Sequence, residues 1–252
     1  MQTSKLYHPV LNVKIAGELS KARPSYFGLS TDSSFPDIRS LLEYPAETAN
    51  CKADDPIEIT LTANGESHVL FTGLVYFVSV DRGYCYVTLA DGYSNLCCTR
   101  IKAAYRKENA KVILQDILEK SGITKTAITC PAVELARFST DTVRAEWGII
   151  QLIKALEEHG HAGLSFFFDE TDTFHFGTIN DTGKNDGAVY EFETAKNILK
   201  KGDGWIEVLP LPIRHSQEIV LDSVQTLVQR TELHISGSTS RLRLYYKGRA
   251  HD

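Results

Sequence analysis

Across roughly the first hundred positions, short runs rich in Val, Ile, Thr, Tyr and Phe recur between turn-forming clusters, and several alternate apolar and polar residues with a period of two. This pattern predicts strands at Val10–Ala16, Tyr26–Ser30, Ile57–Thr62, Val69–Val80 and Tyr84–Ala90. The last two form a hairpin, because Asp81-Arg82-Gly83 separates them and Gly83 suits the positive φ of a tight turn. On the long strand Thr72, Leu74, Tyr76, Val78 and Val80 fall on one face, and Phe71, Val75 and Phe77 on the other. Both faces are apolar. A sheet with one wet face would show polar residues at every second position, so this strand is expected either to line a closed barrel or to be covered by another subunit.

After Asp91 the period changes. In Asn109–Gly122 the residues Ala110, Ile113, Leu114, Ile117 and Leu118 fall at helical spacing, Asn109 caps the start and Gly122 ends the helix. A second helix is predicted over Thr142–His159, with Ala145, Ile149, Leu152, Ile153 and Leu156 as its stripe, Trp147 beside it and Gly160 as its stop. A hairpin follows. Leu164–Phe168 and Phe174–Thr178 flank an acidic turn, Asp169-Glu170-Thr171-Asp172-Thr173, whose carboxylates are expected to be solvated loop tips. Asn180–Gly187 is polar and glycine-punctuated, as a linker or long surface turn would be. Beyond it β character returns at Val189–Glu193, Ile206–Val208, Glu218–Leu221, Val224–Ile235 and Arg241–Tyr246, the last two joined by a Ser-Gly-Ser-Thr-Ser turn. The order is therefore β-rich, α/β, β-rich, with no tandem repeat and no low-complexity tract.

Composition narrows the class. A chain of 252 residues that is 42% apolar and 23% charged folds rather than remaining disordered, and it can fill one large core or two to three small ones. No apolar run reaches the ~18–20 residues of a membrane helix, and Met1–Pro24 lacks a secretory signal, so the chain is expected to be made and kept in the cytoplasm. The net charge of −5, with Lys and Arg dispersed among Asp and Glu, offers no basic stripe for a row of phosphates and argues against specific nucleic-acid binding. Five cysteines in such a chain read as reduced thiols rather than a disulfide framework.

Candidate chemistry is sparse. Cys97 and Cys98 are adjacent, Cys130 stands alone, and His159 and His161 bracket Gly160, so no metal-ligand spacing exists. Cys51, Cys85 and Cys97 are expected to act as small apolar side chains. The sequence has no GxSxG elbow, no SxxK and no phosphate loop, and Gly202-Asp203-Gly204 reads as a turn. Asp169 and Asp172 would be the carboxylates of a hydrolase, but their loop lacks the ligand alternation of a calcium site and an acidic turn is the usual case. Trp205 and the Tyr245–Tyr246 pair would serve a carbohydrate-binding β module. The expected inventory is no catalytic, cofactor-binding or metal-ligating residue, no cofactor and no enzymatic activity.

Linked segments resemble the baseplate or tail hub proteins of contractile-tailed phages, the late-control D family, and the related amino-terminal part of VgrG spike proteins. Ile57–Leu61, Asn64-Gly65 and Leu70-Phe71-Thr72-Gly73-Leu74-Val75 resemble the family's strand, turn and "LFxGxV" strand. Tyr84–Leu96 is similar to its "Y-x-V-x-L-x-D … L" segment. Tyr105–Asn109 with Val112–Gly122 resembles its "Y … ILxxIxxxxGI" helix, and Glu146-Trp147 through Gly160 its second helix. Val228–Tyr246, with His234, is similar to its closing hairpin. Against the longer relatives, the chain is expected to be without spike, lysozyme-like insert or carboxy-terminal extension.

The resemblance implies a mixed β and α+β fold: a first β-barrel-like domain at 1–98, an α/β connector with two amphipathic helices and a hairpin at 99–182, and a second β-barrel-like domain at 183–252. It also implies a structural protein forming a homotrimeric, pseudo-sixfold ring between tail tube and spike. The implied partners are further copies of the chain, the tail tube protein, the central spike protein and the tape-measure protein, with no sequence-specific nucleic acid and no membrane segment. Such a hub is assembled in the bacterial cytoplasm and ends up in a virion tail or tail-like particle. From the cysteine spacing, thiol titration under denaturing conditions should count five reactive thiols and elemental analysis no zinc; three thiols would mean a disulfide and a different environment.

Overall fold

The computed structural model describes residues 9–33, 35–48, 50–63, 65–178, 190–237 and 239–246. Along the chain these form β1 (Val10–Ile15), β2 (Glu18–Leu19), β3 (Tyr26–Asp32), β4 (Phe35–Pro45), β5 (Pro56–Ala63), β6 (Glu66–Asp81) and β7 (Tyr84–Ala90). Then come α1 (Tyr93–Cys98), β8 (Arg100–Asn109), α2 (Ala110–Lys120), β9 (Thr126–Ile128), β10 (Glu134–Arg144), α3 (Ala145–Glu158), β11 (Leu164–Phe168) and β12 (Phe174–Thr178). The last segment holds β13 (Tyr190–Phe192), β14 (Lys200–Gly202), β15 (Trp205–Val208), β16 (Glu218–Leu221), β17 (Val224–Ser236) and β18 (Ser240–Tyr246). The linker expected at Asn180–Gly187 lies outside the described residues, as do Asn64 and Ser238 of two expected turns.

Packing divides the chain into Met1–Asp91 with Lys184–Asp252 as one unit and Gly92–Gly183 as another. In the first unit, the sheet runs β14-β15-β18-β17-β3-β4-β7-β6-β5-β1-β2, with β16 beside β17 and β13 beside β16. The two β-rich segments were expected as separate barrel-like domains, 1–98 and 183–252. Instead β3 pairs antiparallel with β17 from Tyr26↔Ser236 to Asp32↔Arg230, so both segments share one sheet, and no closed barrel forms among the described residues. The shared register points Phe27, Leu29 and Thr31 to the same side as Ile235, Leu233 and Thr231. That side packs one core in which Phe27, Leu42, Ile59, Phe71 and Val87 meet Ile206, Val228 and Leu244.

Two irregularities in β6 change the expected faces. Pairing with β5 steps from Ile59↔Phe71 to Thr60↔Val69, which leaves Leu70 as an extra residue, so Leu70 and Phe71 are both buried. Pairing with β7 steps from Val75↔Leu89 to Phe77↔Thr88, which leaves Tyr76 extra. Beyond that bulge the parity reverses. Val78 lies opposite buried Val87 and packs on the core, while Phe77 turns outward, the opposite of an uninterrupted alternation from Phe71.

In the second unit, β8 and β10 form a two-stranded ribbon, and β9, β11 and β12 a small sheet. Asn109 caps α2 by accepting a 2.9 Å bond from the Lys111 N–H, and Gly122 ends the turn beyond it at φ +72°. The second helix starts later than expected, at Ala145, because the preceding residues through Arg144 belong to β10, with a bulge between Thr140 and Val143 and Thr142 at φ +45°. β8 and β10 escape the sequence pattern because Ala, Lys, Arg and Glu dominate their wet positions and favour helix by themselves. Ile113, Leu114, Ile117 and Leu118 of α2 and Ala145, Ile149, Leu152 and Leu156 of α3 are buried in one core, whereas Ile153 only packs at its margin. Gly148 sets the approach: a Cβ there would meet Ile101 Cδ1 at 2.5 Å and Ile117 Cδ1 at 3.5 Å.

One irregular stretch of the first unit is buried although polar. Arg214, His215, Ser216 and Gln217 are all buried. The His215 N–H donates to Thr31 Oγ1 (3.1 Å), His215 Nδ1 lies 2.9 Å from Ser216 Oγ, and Ser216 N–H donates to the Val228 carbonyl (2.7 Å). Burial, seconded by the Arg214 charge and opposed by that of Asp32, pushes the His215 pKa down to about 3.

Two measurements follow from this packing. Ile117→Asp should destabilise the second unit by several kcal/mol, whereas Lys154→Glu on the exposed side of α3 should cost under about 0.5 kcal/mol; equal losses in thermal melts would mean that α3 is covered all round. Because His215 binds its proton more weakly folded than unfolded, stability present above pH ~6.5 should be lost as pH falls toward the folded value, by an amount on the order of a few kcal/mol. Denaturant titrations of His215→Gln should lose that slope between the two values; an unchanged slope would assign it to another group.

Candidate functional site

The groups singled out for chemistry prove to be fasteners. Asp169 Oδ1 accepts from the Thr171 N–H (2.8 Å), the Thr171 hydroxyl (2.7 Å) and the Thr173 N–H (3.0 Å), while Oδ2 sits 2.8 Å from His175 Nε2. Burial opposes its charge, but the bonds from His175, Thr171 and Thr173 outweigh it and hold the carboxyl well below the usual carboxylate range. Asp172 accepts a 2.6 Å bond from the Gly92 N–H, and burial raises its pKa. These carboxylates are drawn inward rather than solvated, because a turn with Asp172 at φ +60° leaves backbone N–H groups that they satisfy.

Cys97 likewise departs from the apolar role expected of it. Its thiol donates to Glu146 Oε2 (2.6 Å), and Arg144 Nη2 bonds Oε1 of the same buried carboxylate (2.7 Å). Burial first, then Glu146, pushes the Cys97 thiol up to about 12. Cys85 is buried in the first unit's core and Cys51 packs against it, both with thiols raised by burial, in keeping with their expected apolar role. Among the described residues no three His, Cys, Asp or Glu side chains cluster to hold a metal, and no helix is long and apolar enough to cross a membrane.

Nor is there a free aromatic platform at the residues suited to sugars. The Trp205 ring carries Arg243 at 4.5 Å and Lys200 at 5.7 Å, and folds over Gly202 of the turn before it. Tyr245 holds Arg230 over its ring at 5.2 Å and donates to Glu232 (2.9 Å), while Tyr246 packs on the core. Gly202-Asp203-Gly204 is the turn between β14 and β15, with Gly204 at φ +71°.

What remains is surface. The β6–β7 hairpin exposes Tyr76 (60%), Phe77 (58%), Val80 (66%) and Tyr84 (43%): the bulge turns Phe77 outward, on the side of Tyr84, whereas Val80 stands opposite Cys85 on the core side and is exposed all the same. From Phe77 a single row of paired residues crosses the outward side of the sheet: Thr88, Leu41, Gly28, His234 and Arg241. Small side chains in its middle leave an open hollow of about 640 Å³. Tyr26 lies back over Gly28, where a Cβ would stand 2.7 Å from its hydroxyl, and reaches His234 Nδ1 at 2.7 Å. The sequence signalled the apolar hairpin through its two-faced strand; it gave no sign of the hollow, which β3, β4, β7 and β17 build together.

No protein-family model matches the sequence, and no curated protein matches it. The fold is nevertheless shared with solved structures. The 43 kDa tail protein of prophage MuSo2 from Shewanella oneidensis superposes with a TM-score of 0.71 at 10% identity, over 95% of this chain and 98% of that one. A tail protein from Neisseria meningitidis gives 0.68 at 9% identity, over 96% and 97%. The E. coli c3393 protein, a component of the type VI secretion system, gives 0.67 at 10% identity, over 95% and 77%. The chain thus has the fold of phage tail proteins and of a type VI secretion component, as the segment resemblance implied.

Proposed function

We propose that this chain is a structural hub of a phage tail or tail-like contractile particle, a homotrimer in which each copy supplies two wedges of a pseudo-sixfold ring between tail tube and spike. The observation that carries the reading is the exposed apolar hairpin on a sheet of this fold: Tyr76, Phe77, Val80 and Tyr84 are large apolar side chains left exposed, as at a protein interface. The two arms of the sheet on either side of the β3–β17 pairing supply the wedges, and the unit at 92–183 serves as a connector. Tube, spike and tape-measure proteins are the neighbours such a ring requires, and assembly in the bacterial cytoplasm fits the same role. The fold shared with tail proteins supports a structural rather than an enzymatic role, and the occupied faces of Trp205 and Tyr245 weigh against a carbohydrate-binding module.

Gel filtration with light scattering at roughly tens of micromolar should return three times the mass of one chain, a range in which interfaces of this kind assemble. Tyr76→Asp with Phe77→Asp should yield a monomer that still melts in one cooperative transition, since both side chains are exposed. A monomeric wild type, or a trimer indifferent to the double substitution, would refute this interface.

A further inference from the structure

The ribbon of β8 and β10 carries charges in an arrangement that works against its own folding. Ile101, Ala103 and Tyr105 alternate toward the core side, where the Tyr105 ring tilts against Phe138 directly opposite, and Arg100, Lys102, Ala104 and Arg106 take the wet side. Across from them on that side stand Arg137, Ser139 and Arg144. Two of the cross-strand pairs are therefore arginine on arginine, Arg106↔Arg137 and Arg100↔Arg144, and like charges directly opposite one another destabilise a sheet. All four arginines are exposed.

Compensation is partial. Arg144 bonds buried Glu146 at 2.7 Å, and Lys102 reaches Asp141 at 3.7 Å. Arg100, Arg106 and Arg137 have no carboxylate in salt-bridge range among the described residues. Lys107, the residue after Arg106, sits in the left-handed region at φ +52°, a strained conformation for a residue with a long side chain. The seven-residue run from Arg100 to Arg106 spans about 20 Å. A protein with net charge −5 thus gathers five cations on one narrow face, although its linear sequence disperses Lys and Arg among Asp and Glu.

We propose that this wet face of the β8–β10 ribbon docks an acidic, carboxylate-rich segment of a partner protein. Carboxylates laid between the paired guanidinium groups would relieve both repulsions and accept bidentate bonds from planar forks. A protein segment suits the face better than a polynucleotide, because Asp141 stands on it and its few cations cannot follow a long row of phosphates. The inference is independent of the hub reading, since it rests on residues outside the β6–β7 patch.

The test uses the full chain and a fluorescein-labelled deca-glutamate peptide, followed by anisotropy across a salt series, with single-stranded DNA of equal charge as competitor. Wild type should bind the peptide at low salt and lose it as salt rises. Arg106→Glu with Arg137→Glu should weaken binding at least ~10-fold, while Lys154→Glu, on an exposed position of α3, should leave it within about two-fold. The single variant Arg137→Glu turns a like pair into an opposite one, so its melting temperature should hold or rise while its binding falls. No binding by wild type, equal binding by the double variant, a lowered melting temperature for Arg137→Glu, or displacement by DNA at far lower concentration than by free peptide would each overturn the proposal. The oligomeric state of the same variants should stay that of wild type, which keeps this result separate from the fate of the trimer.

Discussion

The antiparallel pairing of β3 with β17 brings together residues 200 positions apart, and the larger unit exists as one body because of it. At its buried end Thr31 and Thr231 lie directly opposite and share a 2.8 Å hydroxyl bond, and the same Thr31 oxygen accepts the His215 N–H. Three chain segments are fastened at that oxygen without an unsatisfied hydroxyl, which a buried polar contact requires. Closing so long a loop costs little more than closing one half as long, so a whole second unit can be accommodated between the paired strands. Unpaired, β3 and β17 would each be an open edge of a smaller sheet.

Outward from that pairing, the shape of the surface depends on single extra residues. Leu70 and Tyr76 each lengthen β6 by one position against a neighbour. The first places two consecutive large side chains, Leu70 and Phe71, in the core; the second releases Phe77 from it. An unbulged strand would keep Phe77 on the side of Phe71 and turn Val78 outward, so the exposure of Phe77 is a product of the bulge as much as of composition.

Charge is handled in two contrasting ways. Where carboxylates are buried they are fully engaged: Glu146 by Cys97 and Arg144, Asp169 by its own turn and His175, Glu207 by Arg243. Lys120 is tied to Asp116, which also takes the Tyr105 hydroxyl, so even this rim of α2 is not a bare surface as its helical position alone would imply. On the β8–β10 ribbon, by contrast, guanidinium groups face one another in the open. Its buried carboxylates are engaged, while like charges stand unrelieved on one exterior face.

Several elements were legible in the linear sequence because neighbours along the chain determine them. The periods of β1, β5, β7, α2 and the β11–β12 hairpin, the cap at Asn109 and the turns at Gly83 and Gly122 are local, and their positions agree with the sequence reading. Segment order was also enough to suggest the tail-protein fold. Contacts between distant segments were not legible. β8 is built largely from helix-favouring residues and is a strand through its pairing with β10, and the polar run Arg214–Gln217 is buried beside Thr31. Two arms expected as separate domains became one sheet, and dispersed arginines became one cationic face, because strand register sets which residues stand opposite one another and register is a property of the pair. Local chemistry and periodicity were thus written in the sequence, while pairing, bulges and the charge of each face were decided only when the chain closed on itself.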